Sequence, residues 1–160
     1  MAAAAGAAAA ATSMRSRGGR PSPAAALDEV RQIYRDLAAR PMERSCELRT
    51  QCCHFKLTGK TPYLTRGEAL LAARALKATG RKSLPARNDG ACPLLDPQTS
   101  HCLIYEDRPF GCRTHFCAAA GGPYARREVL DLIRRLEAID EQLGGDGPRA
   151  LPAAISSALR

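Results

Sequence analysis

Ala91-Cys92-Pro93-Leu94-Leu95-Asp96 leads within a few residues into His101-Cys102-Leu103-Ile104-Tyr105-Glu106-Asp107-Arg108-Pro109-Phe110-Gly111-Cys112-Arg113, and Cys117 follows after Thr114-His115-Phe116. With Cys46, Cys52 and Cys53 upstream, these are all seven cysteines of a 160-residue chain. The question that decides the fold is what the thiols hold. Seven is odd, Cys52 and Cys53 are adjacent and make a poor disulfide pair, and no basic n-region precedes the N-terminal alanine tract as a secretory signal requires. The cysteines are therefore expected as thiols in a reducing compartment, which points to a cytoplasmic protein that binds metal or does redox chemistry.

Spacing narrows the metal. One tetrahedral zinc needs four ligands, and only Cys112-x4-Cys117 approaches a zinc-knuckle spacing; no paired C-x2-C ribbon is present. Iron-sulfur clusters accept irregular spacing because their ligands are spread over several irons. Cys46, Cys52, Cys53, Cys92, Cys102, Cys112 and Cys117 are thus candidate ligands of iron, as an iron-sulfur cluster, or of zinc. His54, His101 and His115 lie beside or near cysteines, but a solvated or core role fits each equally well, and none is assigned as a ligand.

Outward from the cysteines, the chain reads as one domain with a modest core. It has no tryptophan, three phenylalanines and four tyrosines, and alanine supplies much of the apolar count while burying little area. Leu27, Val30, Ile33, Tyr34 and Leu37 recur at helical spacing, predicting a helix from about Asp28 to Ala39, stopped by Pro41. Thr65-Arg66-Gly67-Glu68 has capping-box spacing and opens a second helix that runs to Thr79, ended by Gly80. Val129, Leu132, Ile133, Leu136, Ile139 and Leu143 form the stripe of a third, Tyr124 to Leu143, in which Asp131 and Arg135 have the order of an i,i+4 ion pair. Residues 93–95 and 102–105 suggest a short β-hairpin, the only sheet expected. The fold class is mainly α, a small α+β domain of three helices, a hairpin and cysteine-rich loops. Residues 27–143 form the domain, 1–26 a disordered Ala-rich tail and 144–160 a flexible C-terminal tail.

The net charge of +8 is concentrated. Between Arg49 and Arg87 there are nine basic residues and one acid, Glu68, while the rest of the chain balances. This excess fits either an anionic partner or internal compensation for thiolates. Arg74, Lys77 and Arg81 project together from the second helix as a candidate anion-binding face, with a solvated surface as the plainer reading. No apolar run reaches the length of a spanning helix, apart from the weakly apolar alanine tract, so no membrane partner is expected.

Cys92-Pro93-Leu94-Leu95-Asp96, Cys102 through Pro109, and Cys112-Arg113 resemble the CPFLD…C-x-IYExRPxxCR signature of the YkgJ-type cysteine cluster proteins. That family opens with CxxCxxCC followed by a Thr-x-x-Glu helix start, and Cys46, Cys52, Cys53 and Thr65 to Glu68 stand in the corresponding places. The resemblance covers roughly residues 45–117 and implies a zinc- or iron-chelating domain. Arg49 stands where the family has its second cysteine, which leaves one site either degenerate or open to a substrate. Glu106, Arg108 and Arg113 flank Cys102 and Cys112, and are expected to support the site by hydrogen bonds to sulfur or by pairing with one another; binding a substrate carboxylate or phosphate is the alternative for the arginines. A flagellin lysine N-methylase resembles the family in its cysteine cluster, so an iron-sulfur-dependent protein-modifying enzyme is a second function class, although the chain has no glycine-rich nucleotide loop. A third is a metal-stapled module that binds nucleic acid or an acidic protein through its basic helix face.

Overall fold

The computed structural model describes residues 22–41, 44, 46 and 49–160. The alanine-rich stretch expected as a disordered tail lies outside the described residues as far as position 21. From there it is helical: Ser22 caps α1 (Pro23–Ala38) by accepting the Ala25 N–H at 3.2 Å, and Pro23 occupies the first turn, where its missing N–H costs nothing. The helix therefore starts five residues before the expected Asp28. Its predicted stripe, Leu27 to Leu37, is buried.

Two short elements follow: α2 (Phe55–Thr58) and β1 (Tyr63–Leu64). They lead to α3 (Arg66–Ala78), which separates two cores. Leu71 faces one, shared with Val30, Ile33, Phe110, Leu132 and Leu136. Ala72, Ala73 and Leu76 face the other, with Leu94, Ile104, Leu151 and Ile155. Gly67 lies where α3 meets the first and last of its helical neighbours in that first core. A Cβ there would come within 3.0 Å of both Val30 and Ile139 methyl carbons, so the missing side chain sets the helix separation.

α4 (Phe110–Thr114) carries Cys112, and α5 (Leu130–Gln142) completes the first core. The expected helix from Tyr124 begins only at Leu130. Tyr124 donates its N–H to Thr114 at 2.9 Å, and Glu128 accepts from Ala125 N–H at 2.6 Å, which closes a 3-10 turn over Arg126–Glu128 instead. The Asp131–Arg135 pair expected along α5 is replaced by pairs to its neighbours. Asp131 meets Arg40 at 2.5 Å, and Arg135 reaches Glu29 and Asp36 of α1, each at 2.6 Å.

The expected C-terminal tail is instead structured in its second half. β2 (Arg149–Ala150) pairs antiparallel with β1, Tyr63 opposite Ala150, and runs into α6 (Leu151–Leu159). Leu151 and Ile155, one turn apart, are fully buried against α3. This small sheet lies away from the hairpin predicted at 93–105. There the strands shrink to one bridge, Leu95 to Cys102, because the Leu95 N–H turns back to Cys92 O at 3.0 Å and residues 105–107 coil into a 3-10 turn. The fold class stands as read: mainly helical, with a small two-stranded antiparallel sheet. Among the described residues no helix is long and apolar enough to cross a membrane.

Candidate metal centre

The first cysteine segment is held by backbone. Thr50 adopts left-handed φ of 52°, unusual for a β-branched residue, and turns the chain into the 3-10 turn Gln51–Cys53. The Cys53 carbonyl then accepts the Cys92 N–H at 2.6 Å, and Lys56 N–H donates to Gly90 O at 3.1 Å. Those two bonds join cysteine segments with 38 residues between them in sequence. Gly90 makes the approach possible: its φ is +73°, and a Cβ would lie 2.6 Å from that of Lys56. Gly90→Ala should therefore cost about 2 kcal/mol in a denaturant titration, from left-handed strain and overpacking together. A variant as stable as the parent would show that this contact is not needed.

Cys102 stands at the isolated bridge and Cys112 in α4. The position of α4 is fixed from below by Glu68. Its carboxylate accepts the Thr65 N–H at 3.0 Å, as the capping box predicts, and also the Thr65 hydroxyl at 2.9 Å, Phe110 N–H at 2.8 Å and Tyr34 OH at 3.3 Å. Glu68 is fully buried, and burial pushes its pKa up against the opposing pull of those donors.

Six cysteines, Cys46, Cys52, Cys53, Cys92, Cys102 and Cys112, line one cavity of about 450 Å³. His101, His115 and Arg108 also line it, whereas Cys117 and His54 are not among its walls. All seven cysteines are free thiols. Among the described residues, no three His, Cys, Asp or Glu side chains are gathered tightly enough to hold an ion as they stand. The thiols converge on a space, not on a point.

Their electrostatics are those of crowded, buried acids. Burial lifts Cys92 to about 11, and raises Cys102 and Cys112 as well, with each feeling the charge of neighbouring cysteines. A thiol hydrogen bond between the adjacent pair lowers Cys52 to about 6 and raises Cys53. Such a group of thiols cannot ionise together unless a cation compensates it. Nearby backbone amides favour the thiolates: those of Leu94 and Leu95 at Cys92, that of Ile104 at Cys102 and that of Cys53 at Cys52. Amide donors of this kind stabilise thiolate and tune a metal bound to it. Donor type, mutual repulsion and the nearby amides that favour thiolate all fit a thiolate-bound iron or zinc centre.

The flanking residues divide. Arg108 stacks on Tyr105, 4.0 Å from the ring centre, and its charge favours the thiolates of Cys52 and Cys102. Arg113 turns away to lie over the Tyr34 ring at 4.2 Å. It donates to the carbonyls of Glu106 and of Arg108, so the expected pairing with the Glu106 carboxylate is made through backbone instead. Arg74, Lys77 and Arg81 are exposed and lie outside the cavity walls. Sequence reasoning did not single out Lys60, Phe55 or Phe116, which line the cavity; only their nearness to cysteines could have marked them.

Comparison with protein families matches residues 44–132 to the CxxCxxCC family, described as a "putative zinc- or iron-chelating domain". The chain belongs to the CxxCxxCC family. The matched span runs from just before Cys46 into α5, so it takes in every cysteine and the cavity they line. Neither a search of curated proteins nor one of solved structures gives a match.

Proposed function

We propose that this CxxCxxCC domain binds iron in the cysteine cavity as a polynuclear iron-sulfur centre held by Cys52, Cys53, Cys92, Cys102 and Cys112, with Cys46 closing it from the exposed side. The observation that carries this reading is the cavity itself. A single zinc takes four sulfurs, whereas here six cysteines line one cavity. Cys117, away from the walls, is assigned no ligand role. The bound group would supply thiolate-ligated redox or Lewis-acid chemistry; the chain's own part is to deliver the thiols, favour their ionisation with nearby amides and hold Arg108 beside Cys52 and Cys102. Of the basic excess at 49–87, Lys60 lines the cavity and the Arg87 charge favours the Cys92 thiolate.

Anaerobic purification followed by iron, zinc and sulfide analysis, with a spectrum before and after dithionite, tests the reading. Iron with sulfide and a visible band that bleaches on reduction is the expected result. Zinc alone, with no visible absorption, would overturn the iron-sulfur assignment and leave a structural ion.

The acidity of the site gives a further expectation. Ligating thiols must lose their protons, and burial holds Cys92, Cys102 and Cys112 above the usual thiol range. Metal uptake should therefore release protons, and affinity should fall with falling pH by about tenfold per pH unit for each thiol deprotonated. The metal-free fold behaves oppositely. It holds these protons more tightly than the unfolded chain does, so its stability is greatest below the ordinary thiol range and is lost as pH rises toward 11. Competition against a chromophoric chelator between pH 6 and 8 checks the first statement, and a pH-independent affinity would contradict it.

A further inference from the structure

Most half-buried arginines in this structure have a carboxylate partner. Arg31 meets Asp107, Arg40 meets Asp131, Arg44 meets Glu128, Arg87 meets Asp89, and Arg135 meets Glu29 and Asp36. Arg113 has two carbonyls and the Tyr34 ring. Arg108 is different. Its guanidinium lies on the Tyr105 ring and donates to Tyr105 O at 3.0 Å, which fixes its plane, but no carboxylate among the described residues pairs with it. It faces the cysteine cavity, and so does Lys60, which likewise has no carboxylate partner among the described residues.

Much of the rest of that wall is apolar, although Thr50, Thr58, Thr61, His101 and His115 line it too. Phe55, Leu94, Tyr105 and Phe116 line the same cavity as the two cations and the thiols. A volume of about 450 Å³ is within the range of small-molecule sites, which combine apolar walls with a few fixed polar groups. A metal centre at the thiols fills only the part of this space bounded by sulfur. A planar guanidinium fork held in place suits two carboxylate oxygens. Its charge also reaches Cys52 and Cys102, so an anion held by Arg108 would lie beside the metal position.

We propose that the cavity is also a substrate site, which takes a small organic carboxylate with its carboxylate on Arg108 and Lys60 and its apolar body against Phe55, Leu94 and Phe116, next to the metal centre. This rests on the proposed metal site for its role but not for its geometry, because the cations and the walls are in place without metal.

The test is isothermal titration of the as-purified, metal-analysed protein with phenylacetate and hexanoate, set against benzyl alcohol and inorganic phosphate. Saturable binding of at least one carboxylate, at least tenfold tighter than both benzyl alcohol and phosphate, is expected. Arg108→Gln should weaken that binding at least tenfold, and Arg74→Gln, on the outer face of α3, should leave it unchanged. Should Arg108→Gln fail to fold, Lys60→Gln provides the same comparison, with a loss of several-fold expected. Carboxylate binding no tighter than that of benzyl alcohol or phosphate would overturn the inference, as would binding that survives both substitutions. Metal content separates the two readings: a metal-loaded sample that ignores both carboxylates overturns this inference alone, whereas a sample without metal that binds them supports it while removing the metal assignment.

Discussion

Glu68→Gln is expected to lower the unfolding free energy by about 3 kcal/mol, since it sets an amide group against donors that have no other buried partner. The carboxylate takes four donors: the Thr65 N–H and hydroxyl, the Phe110 N–H and the Tyr34 hydroxyl. A glutamine keeps one oxygen, so one of the two pairs of donors faces an NH2 that cannot accept. The loss falls on three elements together, because those donors belong to the start of α3, to α1 and to the turn that carries Cys112. Denaturant titration checks the magnitude. The sign of the pH dependence is a second handle. Burial raises Glu68 above the ordinary carboxyl range, so the fold binds that proton more tightly than the unfolded chain, and stability falls as pH climbs from the ordinary carboxyl range through the raised value. The glutamine variant should lack that slope. A variant within 0.5 kcal/mol of the parent, on the order of an ordinary surface change, would show that Glu68 does not tie these elements together.

Cys92→Ser is expected to abolish metal retention through gel filtration, with affinity down by about a hundredfold or more, while Cys117→Ser retains it. The hundredfold figure is the upper range for losing even an outer partner of a metal ligand, so losing a ligand itself should cost no less. Cys92 is the buried cysteine, with two nearby amides favouring its thiolate and its own N–H bound to Cys53 O at 2.6 Å. Serine preserves the shape and the backbone bond but replaces a polarisable thiolate with a weakly acidic hydroxyl. Metal content per chain in the two variants is the readout. Equal retention in both would remove Cys92 from the centre.

What the sequence disclosed was local. The Thr65–Glu68 box and the α1 stripe could be read because their partners lie three or four residues away. That Glu68 also receives Phe110 and Tyr34 could not be read, since those partners are 42 and 34 residues distant. α6 was missed because its burial rests on three residues, Leu151, Ala154 and Ile155, in a stretch rich in alanine and serine, where apolar periodicity is faint. The hairpin was over-read: Leu94-Leu95 and Leu103-Ile104 are apolar because they enter the second core, and apolar runs this short do not distinguish a ladder from buried turns. At the site, the cysteine pattern named the family and the chemistry. It did not show that six thiols would face one cavity while Cys117, four residues beyond Cys112, would not. Nor did it separate Arg108 from Arg113: Pro109 starts α4 between them, and the two guanidiniums end on different rings.

The central claim, that six cysteines share one metal centre and the seventh stands outside it, is tested most directly by cysteine footprinting with mass spectrometry. The anaerobically purified protein is treated with iodoacetamide, the metal is removed by chelation, and the newly freed thiols are labelled with the heavy reagent. The account predicts the first label on Cys117 and the heavy label on Cys46, Cys52, Cys53, Cys92, Cys102 and Cys112. Protection of Cys117 together with only three others, or early labelling of Cys92 and Cys112 with metal still bound, would contradict it.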